Sequence, residues 1–130
     1  MRFLNKNVYK VIFFIIATAL MLYPVMPNDY ISSLYPVNLN DKVEHAAVFF
    51  ILSLLLNRAS ATTGHRLRNV IALSAFGIVI ELIQHFIPHR STSLNDALAN
   101  IAGILLFQLA FSIYLYVSKK RHRVDESSIR

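Results

Sequence analysis

Four long apolar runs separated by polar connections set the plan of this chain. Val11 to Val25 is almost wholly apolar, and Pro24 and Pro27 mark its end. With Val8 and Tyr9 added, and Lys10 reaching out to the interface, the run predicts a first helix over 8–26, long enough to span a bilayer. Asp41 to Leu56 predicts a second helix over 41–57, and Val70 to Ile87 a third over 70–87, stopped by Pro88. Ala97 to Val117 predicts a fourth over 97–117. The loop over 26–40 is rich in Pro, Asn and Ser, and its Tyr30, Leu34 and Tyr35 suit a membrane interface. The expected fold is an all-α membrane protein, a four-transmembrane-helix bundle over residues 1–118. A basic cytoplasmic tail over 119–130 would follow, disordered or lying on the lipid surface. The basic start before an apolar run also has the form of a signal peptide, but no A-x-A-like site follows it. An uncleaved helix is the expectation.

Composition agrees with that pattern. Apolar residues make up 55% of the 130 and charged residues 15%, where a soluble domain is nearer a quarter charged. The net charge of +6 raises the question of nucleic acid. Yet the cations sit at the edges of apolar runs with no interleaved aromatics, so the expected partner is membrane lipid and not nucleic acid. With no cysteine, disulfides and thiolate metal sites are excluded.

The same cations predict an orientation. Arg2, Lys6 and Lys10 precede the first run, Arg58, Arg66 and Arg68 lie in the 57–69 connection, and Lys119, Lys120, Arg121, Arg123 and Arg130 close the chain. The two remaining loops carry only Lys42 and Arg90. The positive-inside rule then places both termini and the middle connection in the cytoplasm and the other two loops outside.

That topology gathers the polar residues at one face of the membrane. Helix two would begin outside with Asp41, Lys42 and His45. Helix three would end there with Glu81, Gln84 and His85, and helix four begin there with Asp96 and Asn100. At ~1.5 Å per residue, His45 and Asn100 lie about 6 Å below Asp41 and Asp96, and Glu81 roughly 10 Å below Pro88. Asp41 with His45, Glu81 with His85, and Asp96 with Asn100 are each four apart and share a helical face, and Gln84 is three from Glu81. Gly77 and Gly103 lie on the same faces, and Ala99 with Gly103 forms a small-xxx-small pair for close packing. A polar pocket open to the outside is expected.

At these residues the chain resembles the VanZ-like family of small membrane proteins. The matching pattern is Asp41-Lys42-x-x-His45, Glu81-x-x-Gln84, and Arg90, Ser93, Asp96, Asn100 and Gly103, over about Asp41 to Phe107. The chain departs from it at His89 and Phe107, where the family commonly has glycine. The resemblance implies a four-helix bacterial envelope protein. Some members are associated with low-level resistance to the glycopeptide teicoplanin. It implies no particular reaction and no cofactor.

Each residue also has a bland reading. Ser93-x-x-Asp96 has the form of a capping box, as does Asp41-x-x-Glu44. Arg90 with Asp96 reads equally as a loop ion pair, and Asn100 as interhelical glue. Glu81 is harder to dismiss, because an acid within an apolar helix usually marks a site and needs Lys42, Arg90 or His45 nearby. His85 and His89 read as surface residues, and Gln108 needs no special account.

Four functions follow, the last of them proton or ion translocation, which is weakened because the cytoplasmic halves lack acids to complete a path. In the first, Lys42 and Arg90 hold an anionic lipid head group or a cell-wall precursor. Asp96, Gln84, Asn100, Ser93 and Asp41 line the site, and Glu81 with His45 exchanges protons or hydrogen bonds with the ligand. In the second, His45 and Glu81 are the acid–base pair of an enzyme on a lipid-linked substrate. A metal variant uses His45, Glu81 and Asp96 as ligands, although no H-E-x-x-H-like pair is present. In the third, the cluster only fixes helix packing in a structural helper subunit.

Overall fold

The computed structural model describes residues 5–22, 41–60, 63–88 and 93–129. They form four α-helices, with no strand among the described residues. Helix α1 is Lys6–Leu22, α2 Asp41–Ala59, α3 Arg66–His85 and α4 Leu94–Ile129, and a 3-10 turn, Thr63–His65, leads into α3. The expected extension of α1 to residue 26 lies outside the described residues, as do the loop with Tyr30 and Tyr35, His89 and Arg90.

Helix α2 is the central element. It packs most extensively on α4, and also against α1 and α3. The core joins Phe49 and Leu52 of α2, Leu73 and Ile80 of α3, and Ile104 of α4. Phe13, Ile16 and Leu20 bring α1 onto the same cluster. Where α2 crosses α4, a Cβ on Gly103 would collide with the backbone of Ala46. The two helices therefore touch main chain to main chain, which only a side chain of one hydrogen allows. The small-residue contact expected of helix four is real, with Ala46 of α2 as its partner.

Of the helix boundaries that differ from the sequence pattern, the two ends of α3 have visible causes. Helix α3 starts at Arg66, not near residue 70, because the Arg66 side chain is anchored on α4. It ends at His85, since the Phe86 and Ile87 amides donate to the Ile83 and Gln84 carbonyls and tighten the last turn before Pro88. Helix α4 does not stop near Val117. It continues as helix to Ile129, so the tail expected to be disordered or lying on the lipid surface is an extension of the longest element. At 36 residues, α4 is about 54 Å long against a hydrocarbon core of about 30 Å.

The distribution of polarity is inverted relative to a soluble bundle. Ser53, Asn69, Glu81, Gln84, Asp96 and Asn100 are buried, while Phe14, Ile71, Ile78, Leu82, Leu105, Leu109 and Ile113 are exposed. Water would penalise that outer surface, and hydrocarbon would not. Two helices, α3 and α4, are long and apolar enough to cross a membrane.

Candidate functional site

The stripe that α3 buries runs Asn69, Leu73, Gly77, Ile80, Glu81, Gln84, which is helical spacing, with Glu81 and Gln84 toward its C-terminal end and Asn69 at the other. Helix α4 buries Asp96, Asn100, Gly103, Ile104 and Phe107, with its polar members toward its N-terminal end. Helix α2 faces both with Lys42 and His45. Antiparallel packing thus brings the polar ends of three helices together.

Two contacts tie α2 to α4. Lys42 Nζ donates to Asp96 Oδ1 at 3.1 Å, and His45 Nδ1 lies 2.9 Å from Asn100 Oδ1. His45 Nδ1 is also 3.6 Å from Glu81 Oε1, which adds α3 to the network. Asp96 has a second role. Its Oδ2 accepts the Ser93 amide at 3.1 Å, while its own amide donates to the Ser93 carbonyl at 3.0 Å. This is the acidic half of the capping box, and it starts α4 at Leu94.

The cluster is graded from open to closed. The Lys42 side chain is 47% exposed, His45 19%, Glu81 10% and Asp96 7%. Asn100 is sealed beneath them, with its Nδ2 packed toward Gly77 and lacking a hydrogen-bond partner among the described residues. A Cβ on Gly77 would stand 3.3 Å from that nitrogen and 3.1 Å from the Phe49 ring. The glycine therefore makes room for the amide.

Of the residues singled out in the sequence, Lys42, His45, Glu81, Ser93, Asp96 and Asn100 come together here. Gln84 is buried one turn beyond Glu81. Arg90 and the side chain of Asp41 lie outside the described residues. The metal variant finds no geometry: among the described residues, no three His, Asp or Glu side chains form a group able to hold an ion. His45, Glu81 and Asp96 share a neighbourhood without converging on one point.

Phe107 is buried edge-on against Phe50 with ring centroids 5.6 Å apart.

A second polar centre was not anticipated. Arg66 donates to Gln108 Oε1 at 2.9 Å, to the Gln108 carbonyl at 3.0 Å and to Ser112 Oγ at 2.8 Å, and its guanidinium lies 5.1 Å from the Phe111 ring centroid. Nearby in sequence, the buried Asn69 donates to Ser60 Oγ, which donates to the Leu56 carbonyl. Gln108 is thus a partner, not a bystander. The signal was available, because an amide inside an apolar helix needs a partner as much as an acid does.

This fold and cluster define a class: a small helical membrane protein with buried ionisable residues at one end of its bundle. The chain belongs to the VanZ/LLP1 family, whose description matches residues 2–115. It is also 35% identical over 86 residues to "Uncharacterized protein C11E3.10" of Schizosaccharomyces pombe, covering 61% of this chain and 51% of that protein. The chain thus spans about half the length of that curated relative. No solved structure matches it.

Proposed function

We propose that this protein crosses the membrane four times, with both termini cytoplasmic, and binds an anionic lipid or cell-wall-precursor head group in an outward-facing site. Lys42 and Arg90 hold the anion, while Asp96, Gln84 and Asn100 orient it. Glu81 and His45 supply hydrogen bonds or a proton at the floor. One observation carries this reading. The cluster opens at a half-exposed Lys42 and ends at a buried Asn100 Nδ2 that has no acceptor among the described residues. A network built only to lock helices has no reason to leave a buried donor over.

That the chain is 35% identical over 86 residues to a fission-yeast protein favours a ligand not restricted to a bacterial wall precursor. The shared chemistry is the anionic head group, and teicoplanin resistance would be its consequence in a host whose wall the drug attacks. An acid–base reaction by His45 and Glu81 on a lipid-linked substrate would use the same site. A purely structural role is favoured by a different observation. Lys42–Asp96 and His45–Asn100 both join α2 to α4 beside the Gly103–Ala46 contact.

The test is thermal unfolding in detergent with rising dihexanoyl-phosphatidylglycerol, against the phosphatidylcholine of equal chain length. Binding predicts a saturable, phosphatidylglycerol-specific rise, worth ~1.4 kcal/mol at about ten times Kd, that is reduced in Lys42→Gln. An equal rise with both lipids, or one that Lys42→Gln leaves unchanged, contradicts the proposal.

A further inference from the structure

The extension of α4 carries a feature that the site does not use. Lys119, Lys120, Arg121 and Arg123 are all exposed on continuous helix, and among the described residues none of them is held in an ion pair. They lie beyond residue 115, where the family match ends, so membership says nothing about them.

Their arrangement is a ring and not a stripe. At about 100° per residue, Lys119, Lys120 and Arg121 point in three well-separated directions, and Arg123 falls near Lys119. The four cations span only about 6 Å along the axis. A helix lying on a lipid surface needs its cations on one side, opposite an apolar face. A ring this thin fits a helix that leaves the bilayer steeply and passes through one layer of head groups. The neighbouring residues fall in the matching order. Leu105, Leu106, Leu109 and Ile113 are exposed first, then Tyr114 and Tyr116, then the cations, and then Asp125 and Glu126. That is the sequence of environments across a leaflet: hydrocarbon, aromatic interface, phosphate, water.

We infer that Lys119 to Arg123 form a collar that binds anionic phospholipid head groups and fixes the depth of α4 in the membrane. This rests on α4 crossing the bilayer, but not on any ligand at Lys42. Anionic lipid supplies the complementary charge at about 1 kcal/mol per cation near the surface.

The test uses the full chain reconstituted in phosphatidylcholine vesicles with and without 30% phosphatidylglycerol, and compares it with a quadruple Gln variant of the collar. Because the chain has no cysteine, single-cysteine variants report position cleanly. Native mass spectrometry after detergent extraction should show retained phosphatidylglycerol that falls at least threefold in the collar variant and persists in Lys42→Gln. Introduced at Ser118, a cysteine should label slowly with a water-soluble maleimide in phosphatidylglycerol vesicles. Neutralising the collar should speed that labelling severalfold, while a cysteine at Ser127 labels fast throughout. Equal lipid retention with and without the collar overturns the collar alone. Rapid labelling of a cysteine at Leu105 overturns the crossing of α4 and the collar with it. An unchanged melting temperature in phosphatidylcholine shows that the collar variant is folded.

Discussion

The two polar centres of this protein differ in kind. At one end Arg66 meets an amide, a carbonyl and a hydroxyl, all neutral acceptors, and Asn69 meets a serine. At the other end the buried partners are acids, a histidine and an amide, under a lysine that remains half-exposed. The charge there sits on a half-buried guanidinium among neutral acceptors, and that arrangement reads as structure. Buried acids carry a desolvation cost that packing alone does not require, since apolar residues of similar shape would often serve as well or better. On the proposed function, the difference separates a fastening from a site.

The largest effect should come from the seam that lies between them. Gly103→Ala places a methyl group against the Ala46 backbone, and a loss of about 3 kcal/mol or more is expected by thermal unfolding in detergent. Survival of that variant at wild-type stability would mean that α2 and α4 are not in backbone contact. Asp96→Ala removes both the partner of Lys42 and the cap of α4, and should cost about 2 kcal/mol, with amide exchange quickening in the first turn of α4. Arg66→Ala should cost about 1 kcal/mol, because its three hydrogen bonds are made by a half-buried side chain. It should leave phosphatidylglycerol binding untouched, and a binding defect there would erase the distinction between the two ends. Gly77→Ala is the mildest. The Phe49 ring must yield by a few tenths of an ångström, and the gain in helix propensity of ~1 kcal/mol offsets much of that cost.

How much of this was legible in the sequence depends on the range of the interaction. Apolar runs and prolines mark four helices because those signals are local. Lys42, His45, Glu81, Asp96 and Asn100 were legible as one cluster because antiparallel topology places helix ends together whatever the packing details. The Arg66 centre was not read, because an arginine after a polar connection looks like a loop residue until its partners 42 and 46 positions away are known. The extension of α4 was missed for a related reason. A run of like charges argues against helix in isolation, but a helix already nucleated by packing over Asp96 to Phe107 continues through it at little cost. Ala46 as the partner of Gly103 was hidden because a small residue advertises close approach without saying to what.

The central claim is that the buried acid of α3 is kept for a ligand and not for the fold. The measurement is the paired unfolding temperature and phosphatidylglycerol response of wild type and Glu81→Gln, in one detergent at one pH. Gln preserves the shape and removes the charge. The account predicts a mutant that melts at the wild-type temperature or above it and responds less to the anionic lipid. A mutant that melts well below wild type and keeps an undiminished response would make Glu81 a structural partner of His45, and the site a fastening after all.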